Sequence, residues 1–209
     1  MVILAEGALR PGYASMHRFG SELALGPRGW VQTANFLLTG LLVLAFSLGL
    51  RRAASSGRGS FAVPALTGVA EVCLIAGGAF PVDPAGTRTT AGAIHDANIA
   101  PVYLAFCAAA AVMAARLAGE PGGRPWAWYS AATAVLALAT IGITLRLADA
   151  GAFHGLWQRI SLGVYTAWFA AMARRFLRSG TQGAQGARKR DGRSRPPVLG
   201  LSQQEKNST

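Results

Sequence analysis

The side chains of this chain that could do chemistry are few, and they gather at the ends of apolar runs. The stretch FPVDPAGTRTTAGAIHDANIAP, Phe80 to Pro101, sets Asp83, His95 and Asp96 between two such runs. Arg146 and Asp149 close a later run, and His154, Gln158 and Arg159 open the next. A His beside an Asp can serve as a general base with an orienting partner. The same two residue types also ligate metals, but zinc hydrolysis needs at least three ligands and an open position. GAIHDAN offers one His followed by one Asp, so neither a metal nor a cofactor is expected. HExxH, GxSxG and the phosphate-binding glycine loop are all missing from the sequence. Charge-assisted pairs between Asp83 and Arg159, or His95 and Asp83, are open to these residues. Arg146 and Asp149, three apart on one helix, read as a local pair.

Glu71 stands alone inside its run, Phe61 to Phe80. It lies about ten residues in, roughly 15 Å along a helix axis and so near the middle of a bilayer. A carboxyl at that depth must be protonated, paired or facing water. Thr67, one turn earlier, is a possible hydrogen-bond partner. A proton relay or ligand contact is one reading of Glu71, and a neutral side chain bonded to a neighbouring helix is the other. Asn98 lies one turn inside His95, and Asn35 sits at a similar depth in another run. Together they can form a polar track inward from one mouth. Asparagines in membrane helices also hold neighbours together, at roughly 0.6–2 kcal/mol.

The elements that must carry these groups are apolar and long. The chain has 209 residues, 52% hydrophobic and 14% charged, against about 25% charged in soluble domains. Runs of about 20 apolar residues span a hydrocarbon core of roughly 30 Å. Five spans are predicted: 30–50, 61–80, 95–117, 126–147 and 157–176. The last is short, from Ile160 to Ala173, with Arg159 and Arg174 positioned to snorkel outward. Trp30, Trp126, Trp128, Tyr129 and Trp157 fall near span ends, as an interfacial aromatic belt requires. Cys73 and Cys107, both within apolar runs, read as packing residues. MVILAEGALRPGY is too short for a signal peptide and has no basic region before it. It reads as the last turns of a truncated first helix.

Of the net charge of +11, +7 falls from Arg174 onward, where nine Lys or Arg face Asp191 and Glu205. This segment is polar, rich in Gly and Ser, and without apolar periodicity, the pattern of a disordered tail over 179–209. Basic residues beside a span attract anionic lipid headgroups, so the tail implies a lipid surface and no nucleic acid. RRAASSGRGS, the Arg116–Arg124 connection and the tail are the basic connections. The positive-inside rule places them, and the C-terminus, in the cytoplasm. The polar cluster then faces outward, and so does Arg10 to Arg28, despite its own arginines.

Three stretches in order carry a resemblance. They are RPGY with SELALGPRGWVQTANF (Arg10–Tyr13, Ser21–Phe36), FPVDP with GAIHD (Phe80–Pro84, Gly92–Asp96), and GLWQRISLG (Gly155–Gly163). Together they resemble bacterial and archaeal membrane proteins grouped as domain of unknown function 998, a family itself distantly similar to the Frag1/DRAM/Sfk1 membrane proteins. The resemblance extends from Arg10 to Arg178. It implies a helical membrane bundle, usually of six spans, without an assigned activity. Its polar marks carry over to Ser21, Asp83, His95, Gln158 and Arg159. Where the family reads close to YDPLRHPVS, this chain has YASMHRFGS, with Ala14 replacing an acid and His17 and Arg18 interchanged.

The expected molecule is an all-α polytopic bundle in the cytoplasmic membrane, with five full spans and a truncated first helix. Its membrane-embedded part is 1–178, followed by the basic tail. The leading functional expectation is a lipid or small-molecule binder or mover acting through an outward-facing polar cavity. The alternatives are a membrane-embedded hydrolase built on His95 and Asp83, and a purely structural assembly partner.

Overall fold

A computed structural model describes residues 2–193, with side chains as far as Arg178. The expected tail, 179–209, lies outside the described side chains, and beyond 193 outside the described chain. The chain divides into two units, Met1–Ala173 and Arg174–Thr209. All the regular structure among the described residues of the first unit is helical: α1 (Val2–Leu9), a 3-10 turn (Gly20–Ala24), α2 (Gly29–Ala53), α3 (Ala62–Ala79), α4 (Thr90–Ala97), α5 (Ile99–Ala118), α6 (Arg124–Asp149) and α7, which begins at His154. Four helical stretches are long and apolar enough to cross a membrane: α2, α3, α4 with α5, and α6. The apolar part of α7 is bounded by Arg159 and Arg174, and α7 is not among the four.

The run expected as a single helix over 95–117 is two helices meeting at Asn98. Pro101 is the cause. Its ring has no N–H to give and crowds the carbonyl four residues back, that of Ala97. The chain turns there: the Asn98 N–H donates to the His95 carbonyl at 3.2 Å, and the Asn98 amide nitrogen donates to the Ile94 carbonyl at 2.7 Å. The break sets α4 apart as a short helix beside the end of α3.

Contacts between connections show the helices running up and down. At one end Arg116 of α5 donates to the Ser56 and Arg58 carbonyls of the α2–α3 connection, at 2.9 and 3.0 Å. At the other end the N-terminal segment is bonded to the start of α7, and Val82 of the α3–α4 connection lines a cavity with both.

Small side chains make close packing possible where helices cross. Ala105, Ala109 and Ala110 of α5 are buried, as are Ala127, Ser130, Thr133 and Ala137 of α6, the helix against which it packs. The α7 residues Tyr165, Trp168 and Phe169 surround the fully buried Phe106, with ring centroids 4.4–5.7 Å away. The Trp168 indole N–H donates to the Ser130 hydroxyl at 3.1 Å, so this buried ring leaves no donor unmet. The outer faces differ. No more than 33% of any span's apolar window is buried, and Leu38, Leu41, Leu42, Leu104, Val135 and Leu138 are exposed. Exposed apolar area costs about 25 cal/mol per Å² in water, a cost that lipid removes.

Candidate functional site

A cavity of about 280 Å³ opens between the helices at the end where α3 meets α4. Its wall is mostly apolar, from Ile3, Phe36, Leu74, Ile99, Val102 and Leu162 among others. Set into that wall are the amides of Gln32, Asn35, Asn98 and Gln158, the hydroxyl of Ser21 and the imidazole of His95, with Tyr103, Tyr165 and Thr39 beside them. Asp96, exposed near the end of α4, is the one acid among the lining residues, and no Lys or Arg lines the cavity.

Each polar group is held from a different element. His95 is 7% exposed, and its Nδ1 lies 2.8 Å from the Gly77 carbonyl and 2.9 Å from that of Phe80. Two carbonyls can only accept, so the proton resides on Nδ1. That fixes the ring against the end of α3 and leaves Nε2 as the nitrogen free for an occupant. Gln158 of α7 uses its side-chain oxygen to accept from the Gly20 N–H at 2.7 Å, closing the N-terminal segment over the cavity. Asn98 bonds back to its own helix. Gln32 is 1% exposed, and its side-chain oxygen has no partner among the described residues.

The charged pairs expected from the sequence do not form. Asp83 meets neither His95 nor Arg159. Its carboxylate accepts from the Thr89 N–H at 2.7 Å and from the Thr89 hydroxyl at 2.6 Å, while the Thr89 hydroxyl caps α4 by accepting from the Gly92 N–H at 3.1 Å. The absence of a side chain at Gly92 lets the Asp83 carboxyl sit there, because a Cβ would run into it and push it off Thr89. The Thr89 bonds hold the Asp83 carboxyl below its usual range, with Arg88 adding to the effect. A local cap within hydrogen-bond reach wins over a distant partner.

Arg159 likewise donates to the Arg18 carbonyl at 3.1 Å, the Gly155 carbonyl at 2.8 Å and the Tyr13 hydroxyl at 2.8 Å. Burial raises the Tyr13 phenol, and Arg159 works against that rise. The Leu156 N–H donates to the Met16 carbonyl at 3.0 Å, and Gly155 lies so close that a Cβ would sit 2.8 Å from the Arg18 nitrogen. Arg159 therefore fastens the 10–28 segment to α7 from outside the cavity. Among the described residues, no ion pair within 4.0 Å joins Arg146 to Asp149. Both are exposed, and water competes well with so weak an attraction.

Glu71 is fully buried and does not line the cavity. Its partner is not Thr67, which bonds instead to the Ser47 hydroxyl at 2.7 Å and to the Val63 carbonyl at 3.0 Å. The Tyr165 hydroxyl donates to Glu71 Oε1, and Oε2 has no partner among the described residues. Tyr165 lines the cavity, so it bridges the cavity wall and the buried carboxyl. Of the eight residues singled out from the sequence, Ser21, Asn35, His95, Asn98 and Gln158 share the cavity; Asp83, Arg159 and Glu71 do not. Gln32, Thr39 and Tyr165 were missed. Gln32, Asn35 and Thr39 follow helical spacing on one face of α2, a signal the sequence did contain.

These features define a helical protein with four helices able to cross a membrane and a largely apolar cavity at one end of the bundle. The chain belongs to the family described as Protein of unknown function (DUF998), whose model matches residues 1–175. Among curated proteins and among solved structures, none matches this chain. Among the described residues, no three His, Cys, Asp or Glu side chains are grouped to hold a metal ion.

Proposed function

We propose that this chain is a multi-pass membrane protein that binds a small amphiphile in the cavity beside α4. In this reading α7 completes a five-span bundle. The cavity end faces outward because Arg51 and Arg52 at the end of α2, Arg58 of the α2–α3 connection, Arg116 in the last turn of α5 and Arg124 at the start of α6 occupy the opposite end. The observation that carries the proposal is the make-up of the cavity wall. Small-molecule sites are mostly apolar with a few convergent polar groups, and this wall has that composition. Binding and transbilayer movement share this site; binding is the part supported by its walls.

The test uses the full-length protein released from detergent under native mass spectrometry. The wild type should retain an amphiphile adduct, and Val102→Trp, which fills the cavity from α5, should lose it while keeping its helical content. A wild type free of adducts and unaffected by added amphiphiles would overturn the proposal. The orientation is tested separately with a C-terminal tag, whose accessibility from outside intact cells would overturn the assignment of sides.

A further inference from the structure

Building on the amphiphile-binding reading, the geometry points to the ligand's headgroup: we infer that the cavity takes an uncharged, hydroxyl-bearing, single-chain amphiphile and excludes phosphate and carboxylate heads. The first argument is electrostatic. Phosphates and carboxylates are recognised by Arg and Lys, and neither lines this cavity. Arg159, next in sequence to the wall residue Gln158, does not line the cavity; its two terminal nitrogens donate to the Arg18 and Gly155 carbonyls and the Tyr13 hydroxyl, and its Nε is buried without a partner among the described residues. The one acid of the wall, Asp96, repels an anion further. An anionic head placed here would be desolvated without a countercharge, a severe cost in a low-dielectric site.

The second argument concerns hydrogen bonds. Gln32 is buried on the wall with an unpartnered oxygen, and buried polar groups almost always have partners. His95 has its proton drawn to Nδ1 by the Gly77 and Phe80 carbonyls, leaving Nε2 as an acceptor in its neutral form. Two acceptors without donors ask for a ligand that donates, and an alcohol does so without carrying charge. The third argument is size. A volume of about 280 Å³ falls just below the roughly 300–1,000 Å³ typical of small-molecule sites. It suits a small head and the first carbons of one chain, with the rest of the chain lying outside the cavity.

The test is a competition series on the full-length protein in phosphatidylcholine nanodiscs, with radiolabelled mono-oleoylglycerol as probe. Oleyl alcohol should compete on a par with unlabelled probe. Oleate and oleoyl-lysophosphatidate, with the same chain, should compete at least about tenfold more weakly. Gln32→Leu should weaken the probe by about tenfold, the effect of losing one buried hydrogen bond, and Gln32→Asn should recover part of that loss. The headgroup series on the wild type stands even if Gln32→Leu fails to fold. Equal or tighter competition by the anions overturns the inference while leaving an amphiphile cavity in place. Absence of binding by every member of the series overturns the inference and the cavity reading together.

Discussion

The cavity end and the middle of the bundle satisfy polar groups in different ways. At the cavity end full charges are common and are met by other charges or by backbone carbonyls. Glu6 pairs with Arg28 and, at 3.9 Å, with Arg10; Arg10 donates to the Leu25 carbonyl at 2.8 Å; Glu22 pairs with Arg18 at 3.5 Å. In the middle, the polar groups are hydroxyls that bond to carbonyls one turn back, as in Thr140 to Leu136 at 2.7 Å and Thr144 to Thr140 at 2.8 Å. Ser47 and Thr67 add a hydroxyl pair between α2 and α3. Glu71 is the exception, a carboxyl at hydroxyl depth with only the Tyr165 hydroxyl to meet it. Depth thus sets what kind of polarity the bundle tolerates. Most charged residues at that end organise chain connections, and, Asp96 apart, the polar residues that face the cavity are amides, hydroxyls and the His95 imidazole.

The strongest way to break that contrast is at Tyr165. Tyr165→Phe leaves the Glu71 carboxyl with no described partner, and an unsatisfied buried group costs about 1–3 kcal/mol, more if charged. A drop in unfolding free energy of about 2–3 kcal/mol is expected in reversible denaturation from detergent. Glu71→Gln should cost less, because an amide oxygen still accepts from Tyr165. If Tyr165→Phe matches the wild type, the buried Glu71 carboxyl is not being held as described. Arg159→Ala comes next. It removes two donated bonds between α7 and the 10–28 segment, to the Arg18 carbonyl and the Tyr13 hydroxyl, so amide exchange should speed up across 10–28 while α5 and α6 stay protected. Unchanged exchange over 10–28 would mean that the backbone bond from Leu156 to Met16 and the Gln158–Gly20 bond suffice.

Much of the contrast was legible in the residues. Uninterrupted apolar runs marked the four spans to within a few residues, because a helix in lipid has to be apolar over a fixed length. His95, Asn98, Asn35 and Gln158, all now on the cavity wall, stood out in the sequence because polar side chains at span ends are costly unless they share a wet or bonded site; for the two asparagines a bond to a neighbouring helix was the competing reading. The charge partners were not legible. Residue type left Asp83 open to a pair with His95 or Arg159, whereas the fold offered Asp83 a local cap at Thr89 and gave Arg159 the Arg18 carbonyl and Tyr13 hydroxyl of a segment distant in sequence. Such choices depend on which backbone groups a tertiary contact leaves open, and periodicity carries no record of them. The kink at Asn98 was available in Pro101, whose missing N–H is a purely local fact. Gln32 was hidden for a different reason: at the start of an apolar run it reads as an interfacial residue, and only the packing of the other helices around it makes it part of a buried wall.

The smallest expected effect concerns acid. His154 lies where the N-terminal segment meets α7, its ring 4.6 Å from that of Phe19. Burial lowers its pKa from 6.5; Glu22 opposes the shift and His17 adds to it. A histidine depressed in the folded state takes up its proton more readily when unfolded. Its contribution is therefore present above about pH 6.5 and is lost as pH falls through the lower folded value. The groups facing it are Glu22, which would welcome a proton there, and His17, which would not. A spin label on Ala14→Cys, in a chain with Cys73 and Cys107 replaced by Ala, should gain mobility between pH 7.5 and 5. The gain should be modest, because only a small part of the 10–28 contact depends on the imidazole. His154→Leu should flatten the response without loosening the segment at neutral pH. A label equally mobile at both pH values would assign the whole attachment of 10–28 to Arg159, Gln158 and the backbone, and would make the cavity end indifferent to acid.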